Sequence, residues 1–456
     1  MPAKNIVQHH SPVRAFLEKH PEVQTFEVVL TDLNGILRGK WLPRSSIQKV
    51  LDGKLKMSLT ALAADVWGRD VPVLCRQTGD GDGVCVALED SIRLLPWLER
   101  PTAQLLLQLN TEDGTPWGYD PRVILQRVCK RFEKLGLTPV CAPELEFYLL
   151  PEKRQADGTP HIPVTRANGT LTIGGQLYST EVMQEQALLL HEMREACELM
   201  NLPMEGMVKE LAAAQYELNL EHVADPLRAA DNAQMLKQTV KGVARKHGLI
   251  ASFMAKPFGT RDGNGYHTHV SLIDRNGRNV FDDGTAKGSD MLRYAIAGLA
   301  QTMADCMLIF APHNNSYRRL RRGVHGPLVP TWGYENRYTA LRIPNGEGEA
   351  RRIEHRIAGA DTNPYLSLAA ILAGIAHGIE NRLQADEPTT GGPQDVDPIL
   401  PGNWYEALRE FENSEFIAAA LGADFRQALS AIKREEQLEF SGAVNPLEYD
   451  SYLVLA

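Results

Sequence analysis

Four stretches of this chain alternate charged or polar residues with apolar ones at a period of two, and few folds can accommodate that pattern four times. Side chains two apart on a β-strand share a face. In Glu144-Leu145-Glu146-Phe147 the two carboxylates therefore point one way and the apolar pair the other. Between Gln215 and Glu221, the side chains of Glu217, Asn219 and Glu221 oppose Tyr216, Leu218 and Leu220. His267, His269 and Ser271 line one face of the stretch that starts at Tyr266, and Arg352, Glu354 and Arg356 line one face of residues 351–356. Any one of these alone reads as the solvated face of a half-buried antiparallel strand. Four sharing a sheet would gather carboxylates, imidazoles and guanidinium groups on one surface. Carboxylates crowd that way only when cations neutralise them. Oxygen-rich ligation with one imidazole favours Mg²⁺ or Mn²⁺ over zinc, and neighbouring arginines suit phosphate. Phosphoryl transfer needs both. The chain has no Walker loop and no glycine-rich kinase loop, so a nucleotide would bind in a site of another kind.

The surrounding signals give an α+β chain. Residues 24–42 read as two strands around the turn Asp32-Leu33-Asn34-Gly35, and residues 102–109 as another strand. The breaker-rich run from Thr111 to Gly118 divides a small β-rich N-terminal domain, residues 1–115, from a larger domain, residues 116–456. Asp120-Pro121, Asp225-Pro226 and Asn363-Pro364 open helices, and Gly136 and Gly248 close the first two. Strands are expected at 138–150, 203–221 in two pieces, 249–255, 265–273, 336–343 and 350–357, with Asn276-Gly277 ending a hairpin. Residues 384–401 form a linker-like loop before a final helical segment.

Composition narrows the partners. The balance of 48 basic against 57 acidic residues, with no basic patch interleaved with aromatics, speaks against nucleic acid. Six scattered cysteines without a C-x-x-C pair suit buried, reduced thiols. Residues 1–20 hold no apolar core of signal-peptide length and read as a surface lead-in. The apolar windows at 294–312 and 364–379 are interrupted or too short to cross a bilayer. A cytoplasmic protein is expected.

Taken in order, the motifs resemble the glutamine synthetase family over nearly the whole chain. They are Glu144 to Phe147; Glu210 with Gln215-Tyr216-Glu217; Lys256-Pro257 followed by Gly263 to Leu272; Asn315 to Leu320; Asn336-Arg337 to Arg342-Ile343-Pro344; and Arg351 to Arg356 with Asn363-Pro364-Tyr365. The resemblance implies a β-grasp N-terminal domain and a catalytic domain with an antiparallel half-barrel sheet and flanking helices. It also implies a dodecamer of two hexameric rings with sites between neighbours. Two Mg²⁺ or Mn²⁺ ions would bind per site, one on Glu146, Glu210 and Glu217, the other on Glu144, His267 and Glu354. Glutamate would lie on Arg319, Gly263 and Arg356, with Asp262 standing where the synthetases have Asn. ATP would lie on Glu205, His269, Ser271, Arg337, Arg342 and Arg352, with Arg319 and Arg337 acting on the reacting groups. The implied reaction is attack of the γ-carboxylate of glutamate on ATP, giving γ-glutamyl phosphate, which an amine then captures.

Glutamine synthetases hold ammonium with an Asp-Gly-Ser-Ser loop from a neighbour's N-terminal domain and a Glu on a flap. Here residues 57–65 lack that loop, Asp65 is the nearest acid, and His325 stands at the place of the flap Glu. A small cation buried without those carboxylates pays a heavy desolvation cost. A larger amine is therefore expected, a polyamine such as putrescine or a monoamine, with His325 taking its proton. The stretch from Trp332 to Arg337 likewise resembles the γ-glutamyl-polyamine and monoamine ligase branch. The alternatives are a true glutamine synthetase using ammonium and a non-catalytic relative; six filled ligand positions argue against the latter.

Overall fold

In the computed structural model, which describes residues 11–161, 176–320, 328–392 and 397–456, the chain first reverses at Asp32. The Asp32 carboxylate accepts the backbone N–H groups of Asn34 and Ile36, at 2.9 and 2.8 Å, and Gly35 supplies the left-handed conformation. That turn joins β1 (Thr25–Thr31) to β2 (Leu37–Pro43). The strands β3 (Lys56–Ser58), β4 (Asp82–Ala87), β5 (Arg93–Leu94) and β6 (Thr102–Asn110) complete a sheet in the order β2-β1-β6-β4-β3, with β5 on β6. β6 lies parallel to β1, giving the β-grasp arrangement. Phe26, Val28, Leu30, Leu105, Leu107 and Leu109 alternate into its buried core. Part of the lead-in is helical: Ser11 caps Pro12–Lys19, and Val13 is buried against this sheet. Ser11-Pro12 repeats the helix-opening device read at Asp120-Pro121.

The second sheet runs through β7 (Leu137–Pro151), β8 (Met204–Lys209), β9 (Gln215–Leu220), β10 (Leu249–Ser252), β11 (Tyr266–Asp274), β12 (Trp332–Tyr334), β13 (Leu341–Ile343) and β14 (Ile353–His355). Its order is β12-β13-β14-β11-β7-β9-β8, with β10 paired to β7, and it curls into the expected half-barrel. Helices Pro121–Leu135, Pro226–Lys246, Asp290–Thr302 and Pro364–Asn381 share one large apolar core with the inward face of this sheet. Asp120 caps the first, and Gly136 ends it in the left-handed conformation. Helices Asp290–Thr302 and Pro364–Asn381 touch backbone to backbone, since a Cβ on Gly378 would sit 2.0 Å from the Tyr294 carbonyl. The fold is α+β, as its alternating signals indicate.

Three strand expectations need correcting. Residues 336–343 are not one strand: β12 ends at Tyr334, Glu335 takes a left-handed φ of 52°, and β13 begins only at Leu341. Residues 350–357 shorten to β14, preceded by the 3-10 turn Gly348–Ala350. The expected strand 249–255 ends at Ser252. Helices Thr180–Glu185, Ala187–Leu199 and Asp290–Thr302 add to those that the proline signals open. Among the described residues, no helix is long and apolar enough to cross a membrane.

The C-terminal helix Ala423–Gly442 returns to the first sheet. Lys433 and Glu436 on it are wholly buried and paired at 2.9 Å. Lys433 donates to the Asn34 side-chain oxygen at 2.6 Å, and Glu436 accepts the Asn34 amide at 3.1 Å and the Val66 N–H at 2.9 Å. A buried ion pair thus fastens the turn after β1 to the far end of the chain.

Candidate active site

Antiparallel register sets the four polar faces side by side. His267 on β11 lies opposite Glu144 on β7, and Glu144 lies opposite Asn219 on β9. Towards one side Glu146 faces Glu217; towards the other His269 faces Glu354, which faces Arg342 on β13. Strand alternation alone dictates this surface once the strand order is set.

His267 sits among three carboxylates. Its Nδ1 is 3.5 Å from Glu144 and 3.9 Å from Glu354, and its Nε2 is 3.9 Å from Glu146. The Gly265 N–H donates to Glu146 at 2.7 Å, and a Cβ on Gly265 would lie 2.6 Å from His267 Nε2. His269 is tied differently. Arg352 Nε donates to its Nδ1 at 3.0 Å, so the ring proton sits on Nε2 and is donated to Glu144 at 2.9 Å. Arg342 donates to one Glu354 oxygen at 2.7 Å and Arg356 donates to the other.

The proton affinities divide this surface in two. Burial pushes Glu144 up, but hydrogen bonds from His267 and His269 outweigh it and hold the group well below the usual carboxylate range. Burial likewise opposes Glu354, yet Arg356 and the histidines bring it down to about 2. On the β8/β9 side the balance reverses. Burial, then Glu144, Glu146 and Glu210, push Glu217 up to about 9. Burial and Glu146 push Glu210 up to about 7, against the pull of Lys209 and Arg337. Excess negative charge beside a ligand-competent imidazole is what a divalent cation relieves, so the donor set fits one.

The six expected metal ligands all lie on or beside this face. Among the described residues, donor atoms lie within 4.8 Å of one another in Glu144, Glu217 and His267, and in Glu144, His269 and Glu354. Both His269 nitrogens are engaged in hydrogen bonds, so of these two groups the one that could hold a cation through its imidazole is Glu144, Glu217 and His267.

The expected glutamate residues gather at one end. Arg319 is buried, its guanidinium donating to the carbonyls of Ile357 and Arg356 at 2.7 and 3.2 Å. Gly263 abuts it, since a Cβ there would meet the Ala255 carbonyl at 2.6 Å and Arg319 Cγ at 2.9 Å. Asp262 is exposed, and its carbonyl accepts from the Tyr148 hydroxyl at 2.7 Å. Of the expected ATP residues, Ser271 is buried two positions beyond His269, Arg342 bridges Glu354 and Glu335, and Arg337 is exposed. Glu205 is the extra residue of a bulge between Met204 and Gly206, which re-aims it away from the regular ladder. His325 lies outside the described residues.

Gln215 has a role that its place in the Gln-x-Glu motif does not disclose. Its amide nitrogen donates to the Gly263 carbonyl at 2.9 Å and the Asn264 side chain at 3.0 Å, tying β9 to the loop before β11. Only the folded sheet brings these segments together.

The family model described as the catalytic domain of glutamine synthetase matches residues 118–452. The chain belongs to the glutamine synthetase family. Gamma-glutamylputrescine synthetase PuuA of Escherichia coli (strain K12) is 37% identical over 443 residues, covering 96% of this chain and 93% of that protein. Glutamate–isopropylamine ligase of a Pseudomonas species is 31% identical over 452 residues, covering 97% of each. Apo GmaS without ligand superposes with a TM-score of 0.83 at 27% identity, covering 96% of this chain and 99% of that one. As a glutamine synthetase-type enzyme, the protein is an ATP-dependent carboxylate–amine ligase, and the family employs divalent metal ions.

Proposed function

We propose that the enzyme joins the γ-carboxylate of glutamate to an alkyl amine larger than ammonium. The observation that carries the amine half is the state of Asp65. One oxygen of its carboxylate accepts the N–H groups of Trp67 and Arg69, at 3.0 and 2.8 Å, and the other pairs with Arg69 Nε at 2.7 Å. An acid so committed within its own loop has little charge to offer a small cation. The identities to a putrescine-using and an isopropylamine-using ligase support the same choice.

In this proposal Arg319, Arg356 and Gly263 hold glutamate, while Arg342, Arg352, Arg337, His269, Ser271 and Glu205 hold ATP. Glu144, Glu146, Glu210, Glu217, His267 and Glu354 hold two Mg²⁺ or Mn²⁺ ions. Bound divalent cations offset the charge that develops on the transferring phosphoryl group. The arginine forks orient carboxylate and phosphate oxygens in line. The γ-carboxylate displaces ADP to give γ-glutamyl phosphate, and the amine nitrogen then attacks the acyl carbon and expels phosphate. The amine must lose a proton, for which the sequence offers His325.

We further infer a division into domains 1–115 and 116–456, a cytoplasmic location and a dodecamer of two hexameric rings. Leu447, Leu453, Val454 and Leu455 are 70–89% exposed, a density of apolar surface that suits contact between copies. The decisive experiment is an amine panel read by ADP release with glutamate and ATP fixed. A larger alkyl amine is expected to exceed ammonium in kcat/KM; ammonium equal to or above every amine would instead make this a glutamine synthetase in the strict sense.

A further inference from the structure

One buried cation lies under the acidic face without belonging to it. Lys209 ends β8, directly before Glu210, and is 0% exposed. Its ammonium donates to the Glu210 carbonyl at 2.5 Å and to the Ala212 carbonyl at 2.7 Å, and sits 5.6 Å from the centre of the Tyr216 ring. Those carbonyls belong to the connection from β8 to β9, which carries Glu210 at its start and delivers Glu217 beyond its end. From outside, the connection is held by backbone bonds from the Gln176 N–H to the Leu211 carbonyl at 3.1 Å and from the Leu149 N–H to the Ala214 carbonyl at 2.9 Å. Glu210 N–H reaches the Gln215 carbonyl at 3.0 Å, Gln215 N–H reaches the Ala212 carbonyl at 3.1 Å, and Ala214 is held in the left-handed region at φ 58°.

We propose that Lys209 is a positioning residue for the divalent-cation site, pinning the 210–215 connection so that Glu210 and Glu217 converge with Glu146. Two carbonyls turned onto one ammonium fix the peptide planes that follow Glu210 and Ala212, and hence the direction in which the Glu210 side chain leaves the backbone. The same positive charge stands behind a carboxylate group that carries too much negative charge. An uncharged side chain of similar length would fill the space but take the ammonium from the Glu210 carbonyl and leave the Ala212 carbonyl with the Gln215 N–H alone. This inference rests on the proposed metal role of Glu210 and Glu217.

The test is direct Mn²⁺ binding to the full-length enzyme without substrates, followed by electron paramagnetic resonance of the free ion, together with thermal melting. Lys209→Met keeps the bulk and removes the ammonium; Lys209→Gln is the second variant should the first not fold. Leu190→Ala, in the core helix Ala187–Leu199, serves as a control for general loss of stability. Either Lys209 variant is expected to weaken Mn²⁺ binding by about 10-fold or more, the scale seen when an outer partner of a metal ligand is removed. Leu190→Ala should melt earlier yet bind Mn²⁺ as the parent does. Parent-like affinity in a folded Lys209 variant, or an equal loss in Leu190→Ala, overturns the positioning role. If the parent itself binds no Mn²⁺, the metal assignment beneath it fails instead.

Discussion

Glu217 is the side chain on which the chemistry and the stability of this enzyme pull in opposite directions. Burial and neighbouring carboxylates raise it to about 9, and Glu210 to about 7. The metal-free native state therefore holds protons that the unfolded chain has already released above its ordinary carboxylate range. Stability must then fall as pH rises from about 5 towards 9, because the folded state is the one binding the extra protons. Thermal melts in chelator at pH 6 and pH 8.5 should show the lower midpoint at pH 8.5, and Mn²⁺ should raise the pH 8.5 value most. Glu217→Gln should flatten that pH profile while abolishing turnover; equal midpoints for the parent at both pH values would contradict the picture. Arg356 poses a different question. Its guanidinium donates to Glu354 and retains a buried Nε that has no partner among the described residues. Lysine cannot bridge two acceptors in a plane, so Arg356→Lys should raise KM for glutamate about 10-fold or more while moving KM for ATP far less. Equal effects on both would assign this arginine to phosphate.

At the scale of elements, the sheet's register brings donors from distant segments together, and close backbone approach sets their fit. Gly265 precedes β11 where a methyl group would lie 2.6 Å from His267 Nε2 and 3.0 Å from an Arg319 nitrogen. Gly265→Ala should cost about 100-fold in kcat/KM, as misplacing a reacting group by an ångström does, with circular dichroism unchanged. An active Gly265→Ala enzyme would show that the imidazole tolerates displacement. Much of this surface is legible in the sequence, because period-two alternation in β7, β9, β11 and β14 states which side chains share a face. Which strands are neighbours is a tertiary fact, so the pairing of Glu146 with Glu217 and of His269 with Glu354 cannot be read from spacing. Short strands hide for a related reason: β13 and β14 have three residues each and are held by partners rather than by propensity. Helix Pro12–Lys19 carries a legible Ser-Pro signal, whereas Ala187–Leu199 is capped by no side chain and offers little to find. The role of Lys209 is invisible in the sequence, since its acceptors are backbone carbonyls that any residue possesses.

Across the whole molecule, the buried pair of Lys433 and Glu436 ties helix Ala423–Gly442 to Asn34 and Val66. Removing one partner strands the other charge, so Lys433→Met should destabilise by about 3–5 kcal/mol, and Lys433→Met with Glu436→Leu by clearly less. Denaturant melts of the three proteins decide it, and a double variant as unstable as the single one would mean that Asn34 and Val66 need the carboxylate for themselves. The position of that pair also has a consequence for how the protein is made. The turn at Asn34 leaves the ribosome 402 residues before its partner Glu436. Val29 of the first sheet and Leu33 of the turn after β1 belong to the large core that residues of helices Pro364–Asn381 and Ala423–Gly442 complete. The first sheet must therefore wait, partly uncovered, while the residues between Asn34 and Glu436 are synthesised. Stalled nascent chains ending before residue 423 should expose the segment around Asn34 to protease, and chains long enough to free residue 442 from the exit tunnel should protect it. Folding of this enzyme thus includes a late closing of the circle between the turn at Asn34 and helix Ala423–Gly442.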